Sequence, residues 1–358
     1  ETNESYAEVA KKLNKLMAIS QPLFFFLLNI AIIVIFWISS KMINVGTLQV
    51  GQLVAFIEYL FHAMFSIMLF SMVFVMYPKA QVSANRIMEV LNTEPIIKSP
   101  KNGIKDTENK GTIEFENVSF TYPNGEEPVI KDVSFSGKKG EVIAFIGSTG
   151  SGKSTLINLI PRFYDVTKGS IKIDGVDVRD YDLKYLRKKI GFIPQKTLLF
   201  TGSIANNIKF GKKDAEYKEV EDSAKIAQAY EFISNKPNKF DEIITEGGSN
   251  VSGGQKQRLS IARAIVRKPD IYIFDDSFSA LDFKTDAILR KELRSETKDA
   301  IVLIVAQRIG SIMDADKIIV LNEGEVVGIG THKELIKTCP IYHEIATSQL
   351  TEEELANE

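Results

Sequence analysis

A glycine-rich segment near the middle of the chain reads Gly147-Ser148-Thr149-Gly150-Ser151-Gly152-Lys153-Ser154-Thr155. It has a glycine, four residues and then Gly-Lys-Ser, which is the pattern of a phosphate-binding loop. The apolar run 141–146 before it predicts a buried strand, and the run 156–160 after it predicts a helix. Backbone N–H groups and the positive end of that helix would face a phosphate chain. These nine residues therefore predict a nucleotide site, with Lys153 at the β- and γ-phosphates and the Ser154 hydroxyl on Mg²⁺.

Composition limits the class of protein. The length of 358 residues predicts two or three domains, and a net charge of −2 provides no basic field for nucleic acid. The single cysteine, Cys339, excludes an intramolecular disulfide, which is typical of a reducing, cytosolic setting. Because the chain begins at Glu1 without a methionine or a signal-peptide pattern, we expect it to start inside a larger membrane domain.

Two apolar runs dominate residues 1–91, after a polar amphipathic helix predicted for residues 1–20. The runs, at about 22–40 and 53–77, approach the length of about 20 apolar residues that a bilayer core requires. Basic residues flank the pair on its outer sides: Lys11, Lys12, Lys15, Lys79 and Arg86. The positive-inside rule then places both ends of the hairpin in the cytosol. The alternative is a pair of buried helices in a soluble protein; we favour two membrane spans.

Three polar residues interrupt the second run at helical spacing: Glu58, His62 and Ser66. They would share one helix face. Ionisable groups at mid-bilayer usually face a bundle interior or a wet cavity, so the strip could line a translocation path. Alternatively, Glu58 and His62 satisfy each other or lie near the interface. The sequence supports both interpretations equally.

A change of composition marks the next part of the chain. Residues 92–111 are polar and contain Pro95 and Pro100, which predicts a linker. From 112 to 350, short aliphatic runs alternate with helical patterns, so we expect a mainly parallel, helix-covered sheet. Residues 205–240 lack strand signals and predict a helical insertion. The final residues, 351–358, predict a solvated acidic tail.

A second apolar run, 271–274, ends in two carboxylates, Asp275 and Asp276. In phosphate-loop enzymes an aspartate at the end of a strand completes the Mg²⁺ environment. Asp275 fits that role, and Asp276 is placed to orient or deprotonate an attacking water.

Residues 251–258, Val-Ser-Gly-Gly-Gln-Lys-Gln-Arg, decide the class of phosphate-loop protein. They strongly resemble the signature peptide of the ABC transporter ATPase domain, which usually has leucine where this chain has Val251. In that family the residues corresponding to Ser252, Gly253, Gly254 and Gln255 close over the γ-phosphate of ATP bound by the opposite subunit. Such a peptide at a helix N-terminus is an anion site.

The resemblance extends along nearly the whole chain. Further matches are Tyr122 in Phe-Thr-Tyr-Pro, Gln195 in Ile-Pro-Gln, Asp282 in Ser-Ala-Leu-Asp, and residues 246–249. It implies that Tyr122 stacks on adenine, and that Gln195 approaches Mg²⁺ and couples the ATPase to the membrane domain. It further implies that Asp282 belongs to a loop at the dimer interface, and that residues 246–249 touch the membrane domain. The implied fold is two transmembrane helices of a larger bundle, the last two of six, followed by an α/β ABC ATPase domain with a helical subdomain.

Two positions of the catalytic site differ from the usual family residues. The family usually has glutamate where this chain has Asp276, and histidine where it has Gln307. An aspartate carboxylate is one methylene shorter, and positioning errors of that size reduce catalysis steeply. A glutamine amide cannot become a cation or relay a proton. With Lys153, these are the candidate catalytic residues, and we expect the site to bind ATP and Mg²⁺ but to hydrolyse ATP poorly.

The intact signature next to a degenerate catalytic pair is typical of a heterodimeric exporter. We therefore expect a multi-pass membrane protein with a cytoplasmic nucleotide-binding domain, a second half-transporter as partner, and no nucleic-acid partner. An ATP-gated channel or regulator is one alternative, and a soluble ABC ATPase for DNA repair or chromosome organisation is another. Drug, lipid and peptide all remain open as substrates, and only the resemblance favours multidrug export.

Overall fold

The structure is a computed structural model that describes residues 2–107 and 111–350. The chain divides into two compact units, 1–95 and 96–358. The predicted acidic tail, 351–358, lies outside the described residues.

The first unit consists of two long helices, α1 (Thr2–Asn44) and α2 (Val50–Asn92). Gly46, with φ of +76°, forms the turn between them. Both helices are long and apolar enough to cross a membrane. The helix predicted for residues 1–20 is present from Thr2, but it does not end before Pro22, because α1 continues through that proline. Proline removes only its own N–H donor, and long apolar helices tolerate that loss.

In the second unit, the larger sheet has six strands in the order β12-β11-β3-β10-β9-β6. Their bounds are β3 (Val142–Ile146), β6 (Ile190–Ile193), β9 (Ile271–Asp275), β10 (Ile301–Val305), β11 (Lys317–Asn322) and β12 (Glu325–Gly330). All neighbours are parallel except β11 and β12. This sheet confirms the prediction of a mainly parallel architecture.

The alternation of side chains along the parallel strands builds two cores. Ala144 and Phe274 belong to a cluster on one face of the sheet, whereas Phe145 and Ile273 belong to a cluster on the other face. All four are buried. A strand that is buried on both faces reads as a continuous apolar run, which is why β3, β9 and β10 are visible in the sequence. The phosphate loop follows β3 and Asp275 ends β9, so both lie at the same edge of the sheet.

A second, antiparallel sheet was not predicted. It has the order β2-β1-β4-β5, with bounds β1 (Thr112–Phe120), β2 (Ile130–Lys138), β4 (Lys168–Ile173) and β5 (Val176–Asp177). Phe115 of β1 lies opposite Phe135 of β2 and Ile171 of β4. The strands β1 and β2 therefore do not belong to the mainly parallel sheet. A pattern of alternating burial does not specify the direction of a strand's partner.

Helices surround the two sheets and a two-stranded ribbon, β7 (Gly202–Ser203) with β8 (Ile243–Ile244). The described helices of this unit are α3 (Lys153–Leu159), α4 (Leu183–Lys188), α5 (Ile204–Lys209), α6 (Tyr217–Ile226), α7 (Tyr230–Ser234), α8 (Gly253–Ile265), α9 (Phe283–Glu296), α10 (His332–Thr338) and α11 (Pro340–Thr347). The helices α5, α6 and α7 lie in the segment predicted as a helical insertion, and α8 packs against α5 and α6.

The part of the predicted linker that belongs to the second unit is fastened to it. We call residues 98–107 the strap. Its Lys98 carbonyl accepts from Arg162 Nη1 at 3.3 Å, and its Ser99 hydroxyl accepts from the Leu183 N–H at 3.0 Å. Ile104 forms a parallel bridge with Tyr181. The strap therefore follows α4 and the loop after α3 instead of running free.

Candidate nucleotide site

The phosphate loop depends on glycines in left-handed conformations. Gly147 has φ of +155° and Gly152 has φ of +94°. A Cβ at Gly147 would lie 2.0 Å from the Leu321 carbonyl oxygen, and one at Gly152 would lie 2.7 Å from Ile130 Cδ1. Both spacings are shorter than van der Waals contact, so only glycine fits here. The loop then enters α3, whose buried Leu156 fixes the helix against the core.

Lys153 is held inside the loop. Its Nζ donates to the carbonyl oxygens of Gly147 at 2.8 Å and Ser148 at 2.7 Å, and to Ser151 Oγ at 3.2 Å. Burial lowers the pKa of Lys153, against the attraction of Asp276 and Asp275. The ammonium thus organises the loop, while its contact with the β- and γ-phosphates stays a prediction.

Ser154 and Asp275 are brought together at the start of α3. The Ser154 hydroxyl donates to Asp275 Oδ1 at 2.8 Å. Asp275 is buried, and burial raises its pKa although the Ser154 hydrogen bond opposes the shift. A hydroxyl and a carboxylate oxygen are ligands that suit Mg²⁺. These two side chains therefore fit the predicted metal site.

Asp276 accepts two amide hydrogen bonds on the same oxygen. Gln195 Nε2 lies 3.2 Å from Asp276 Oδ2, and Gln307 Nε2 lies 3.0 Å from it. The backbone of Asp276 is left-handed, with φ of +47°. Burial raises the pKa of Asp276, and the Gln195 and Ser279 hydrogen bonds oppose that shift. The two positions that depart from the family are thus in direct contact.

A residue that the sequence did not indicate fixes Gln307. Gln349 Nε2 donates to the Gln307 carbonyl oxygen at 2.9 Å, and Gln349 Oε1 accepts from the Ile309 N–H at 2.9 Å. Because Gln349 lies after the last helix and far along the chain, no local pattern points to it.

The predicted adenine-stacking residue lies beside the loop. The hydroxyls of Tyr122 and Thr155 are 3.0 Å apart. The Tyr122 ring packs edge-on against Phe120 and Tyr164, with ring centroids 4.8 and 5.2 Å away. Its contact with adenine stays a prediction.

One cleft, of about 390 Å³, collects most of the predicted site residues. It is lined by Val129, Thr149, Gly150, Gly152, Lys153, Ser154, Thr155, Gln195, Asp275, Asp276, Val305 and Gln307. Within residues 111–350, the signature residues 252–255 do not line it. The chain thus has its phosphate loop and its signature peptide at different places.

The signature peptide begins a 13-residue helix. Ser252 is the N-cap of α8: its Oγ accepts from the Gln255 N–H at 3.3 Å, and Gln255 Oε1 accepts from the Ser252 N–H at 3.1 Å. This reciprocal capping box preorganises the first turn. Ser252 and Gly253 are exposed. Asp282 is the N-cap of α9: its carboxylate accepts from the Thr285 N–H and hydroxyl, and these hydrogen bonds lower the pKa of Asp282.

A further contact joins the segment after Gln195 to the signature helix. The Thr197 hydroxyl donates to Gln257 Oε1 at 2.5 Å. Gln257 was missed as a candidate, although a signal exists: it is a polar residue on the buried face of α8, with Leu259 and Ile261 following it in the core.

Comparison with known proteins agrees with this geometry. Residues 130–279 match the model of the ABC transporter family. The chain belongs to the ABC transporters. It is 42% identical over 95% of its length to the uncharacterized ABC transporter ATP-binding protein YfiB of Bacillus subtilis, of which it covers 58%. It is 38% identical over 85% of its length to the putative multidrug export ATP-binding/permease protein YgaD of the same organism, of which it covers 52%.

A solved structure gives the same result. A bacterial Atm1-family ABC exporter with ATP bound matches 86% of the chain with a TM-score of 0.77 and 32% identity, and 54% of that exporter is covered. The chain therefore spans roughly half to three fifths of the relatives it matches. In this ABC protein the helical first unit is a membrane segment, and the α/β ATPase domain, which binds ATP, is cytoplasmic. These comparisons confirm the family and the fold expected from the sequence.

Proposed function

We propose that this chain is one half of an ATP-driven exporter that works with a different partner half-transporter. Its own phosphate loop and strand-end aspartates bind Mg-ATP but hydrolyse it slowly. Its signature peptide completes the hydrolytic site of the partner. The similarity to the putative multidrug export ATP-binding/permease protein YgaD supports the export part of this proposal.

The geometry of Asp276 carries the proposal. A general base must present its carboxylate to the water that it deprotonates. Here Asp276 Oδ2 is bound by both the Gln195 and the Gln307 amides. Neither amide can accept a proton, and the shorter aspartate side chain has less reach than glutamate. The site is therefore equipped to hold ATP rather than to activate water.

The remaining site residues suit nucleotide binding. Lys153 and the loop N–H groups would neutralise and orient the phosphates, and Tyr122 would bind the adenine ring. Ser154, Asp275 and Gln195 would hold Mg²⁺, which, when bound, neutralises charge on the β- and γ-phosphates. None of these functions requires Asp276 to act as a base.

The signature peptide is preorganised for a second nucleotide. The capping box fixes the first turn of α8, and the helix N-terminus favours anions. Gly253 has open space around the position of a Cβ, so a ligand can approach the backbone closely. In a homodimer both nucleotide sites would contain Asp276 and Gln307. A heterodimer is favoured because a different partner can supply the glutamate and histidine that this chain lacks. The intact signature of this chain would then complete a hydrolytic site on the partner.

Two alanine substitutions test which of the two nucleotide sites hydrolyses ATP, in the assembly purified with its native partner. Asp276→Ala should leave steady-state ATPase activity within about twofold, because hydrolysis occurs at the other site. Ser252→Ala should reduce it by about 10- to 100-fold, since a γ-phosphate contact and an N-cap are lost together. ATP hydrolysis in detergent or nanodiscs is the measurement.

Asp241→Ala and Ser295→Ala, at exposed positions outside the cleft, are the matched controls and should behave as wild type. The proposal is wrong if Asp276→Ala abolishes hydrolysis while Ser252→Ala spares it.

A further inference from the structure

The Thr197–Gln257 contact joins a half-buried threonine to a buried glutamine near the start of the signature helix. Gln257 is only 4% exposed. Its Oε1 accepts from Thr197, but among the described residues its Nε2 has no hydrogen-bond acceptor. A buried donor without an acceptor costs free energy, and an apolar residue of the same shape would avoid that cost. Stability alone therefore does not explain a glutamine at this position.

Thr197 lies in a short segment that also reaches the nucleotide cleft. We call residues 195–198 the coupling segment. At its start, Gln195 donates to Asp276 at 3.2 Å. At its end, the Leu198 carbonyl accepts from Arg263 Nη1 of α8 at 3.0 Å. The coupling segment thus touches the cleft once and the signature helix twice.

The two hydrogen bonds from the coupling segment to α8 differ in the number of other hydrogen bonds near them. Arg263 also donates to the Asn207 carbonyl oxygen at 2.8 Å and to Asn207 Oδ1 at 3.0 Å, and Asn207 bonds the backbone of Phe200. That end of α8 is therefore fixed to α5 by several bonds. Near Ser252, the hydrogen bond that the structure gives between the coupling segment and α8, within residues 111–350, is the one from Thr197 to Gln257.

The first turn of α8 is held by hydrogen bonds at its start. The capping box ties Ser252 to Gln255, and Gln257 lies two residues further along the same helix, so a change in the position of Gln257 would also move the signature residues. The bond from Thr197 is thus one of the contacts that place residues 252–255 relative to the coupling segment and Asp276.

We propose that Gln257 is a positioning residue: its hydrogen bond with Thr197 fixes the start of the signature helix relative to this chain's own nucleotide cleft. ATP bound in the cleft that Asp275 and Asp276 line thereby changes the rate of hydrolysis at the partner's site. This inference rests on the proposed function, because it requires the signature to serve the partner's nucleotide.

The test uses the assembly purified with its native partner. Thr197→Val and Gln257→Met each remove the hydrogen bond with little change of volume, and Thr197→Ser keeps the hydroxyl as a matched control. The kcat for ATP hydrolysis should fall about fivefold in Thr197→Val and in Gln257→Met, the rate equivalent of one neutral hydrogen bond. The KM for ATP should not change, and Thr197→Ser should match wild type.

The double variant distinguishes positioning from a structural defect. Thr197→Val with Gln257→Met should lose no more kcat than either change alone, since both remove the same bond. The Tm of Gln257→Met should not fall, because the unpaired amide is removed. The inference is overturned if the decrease in kcat of the double variant equals the product of the decreases in the two single variants. It is also overturned if kcat is unchanged in both single variants or if the KM for ATP rises.

Ser252→Ala in the same preparation separates the two hypotheses. If Ser252→Ala leaves hydrolysis unchanged, the proposed function is wrong and the inference falls with it. If Ser252→Ala lowers hydrolysis but Thr197→Val leaves kcat unchanged, only the inference is wrong.

Discussion

At residue scale, the chemistry of the cleft depends on positions 276 and 307. Asp276 is engaged by two neutral amides, and Gln307 is fixed from behind by Gln349. In the proposed function each feature favours retention of ATP: Asp276 Oδ2 is engaged by two amides, and glutamine stands at position 307 where the family has histidine. Lys153, Ser154 and Asp275 keep the groups that binding requires.

Restoring the two family residues should restore hydrolysis at this site. In the Ser252→Ala background, which impairs the partner's site, Asp276→Glu with Gln307→His should raise ATPase activity by about 10²-fold or more, the usual contribution of a general base. Asp276→Glu alone should give a smaller gain, because Gln307 still engages the carboxylate. ATPase assays of the Ser252→Ala parent, the parent with Asp276→Glu and the parent with both changes check this; equal activity in the last of these and the parent would contradict it.

The sequence predicted those residues that lie in contiguous motifs. In residues 147–155 and 251–258 the spacing along the chain itself specifies the geometry, so Lys153 and Ser252 could be identified from neighbours alone. Gln349 and the Thr197–Gln257 pair could not, because their partners are 42 and 60 residues away and only the tertiary fold joins them.

At element scale, a buried ion pair holds the strap to the ATPase domain. Lys189 Nζ donates to Asp174 Oδ2 at 2.8 Å and to Asp270 Oδ2 at 3.1 Å, and the Lys189 and Asp174 side chains are 5% and 1% exposed. Thr107 of the strap donates to the same Asp174 oxygen at 3.1 Å. Burial alone would lower the pKa of Lys189, but the hydrogen bonds from Lys189 to these carboxylates raise it.

Lys189→Met should lower the free energy of unfolding by about 3 kcal/mol, since a buried carboxylate loses its cation. The adjacent, exposed Lys188→Met is the matched control and should change stability by less than about 0.5 kcal/mol. The raised folded-state pKa means that the stabilisation is complete below the unfolded pKa of about 10.4 and is lost only in alkali. Urea unfolding of the two variants should therefore give the same difference from about pH 6 to about pH 9. A difference that vanishes near neutral pH would contradict the ion pair.

Strands with a continuous apolar run could be predicted from the sequence. Strands whose formation depends on pairing with a strand distant in the chain could not. The strands β3, β9 and β10 read directly because both of their faces are buried. The strand β4 begins Lys168-Gly169-Ser170 and is buried at alternate positions near its end, so it has little local signal. The separate antiparallel sheet therefore appeared only in the structure.

At the scale of the whole molecule, the chain joins a membrane segment to an ATPase domain that carries two separate candidate surfaces. The cleft around Lys153 is the proposed nucleotide site, and the exposed signature at Ser252 lies outside it. The family and the fold follow from the sequence motifs, because the peptide 251–258 distinguishes ABC proteins from other phosphate-loop proteins. The identity of the partner and of the substrate depends on surfaces that these residues do not encode.

The most direct measurement is the state of the nucleotide retained by this chain. The assembly, purified with its native partner, is allowed to turn over 8-azido-ATP with Mg²⁺, freed of unbound nucleotide and photo-crosslinked, and the label on each chain is identified. If this chain's own site hydrolyses ATP slowly, its label should be mainly the triphosphate, whereas the label bound by the partner should be largely the diphosphate. Diphosphate formed on this chain as fast as on its partner would contradict slow hydrolysis at this site.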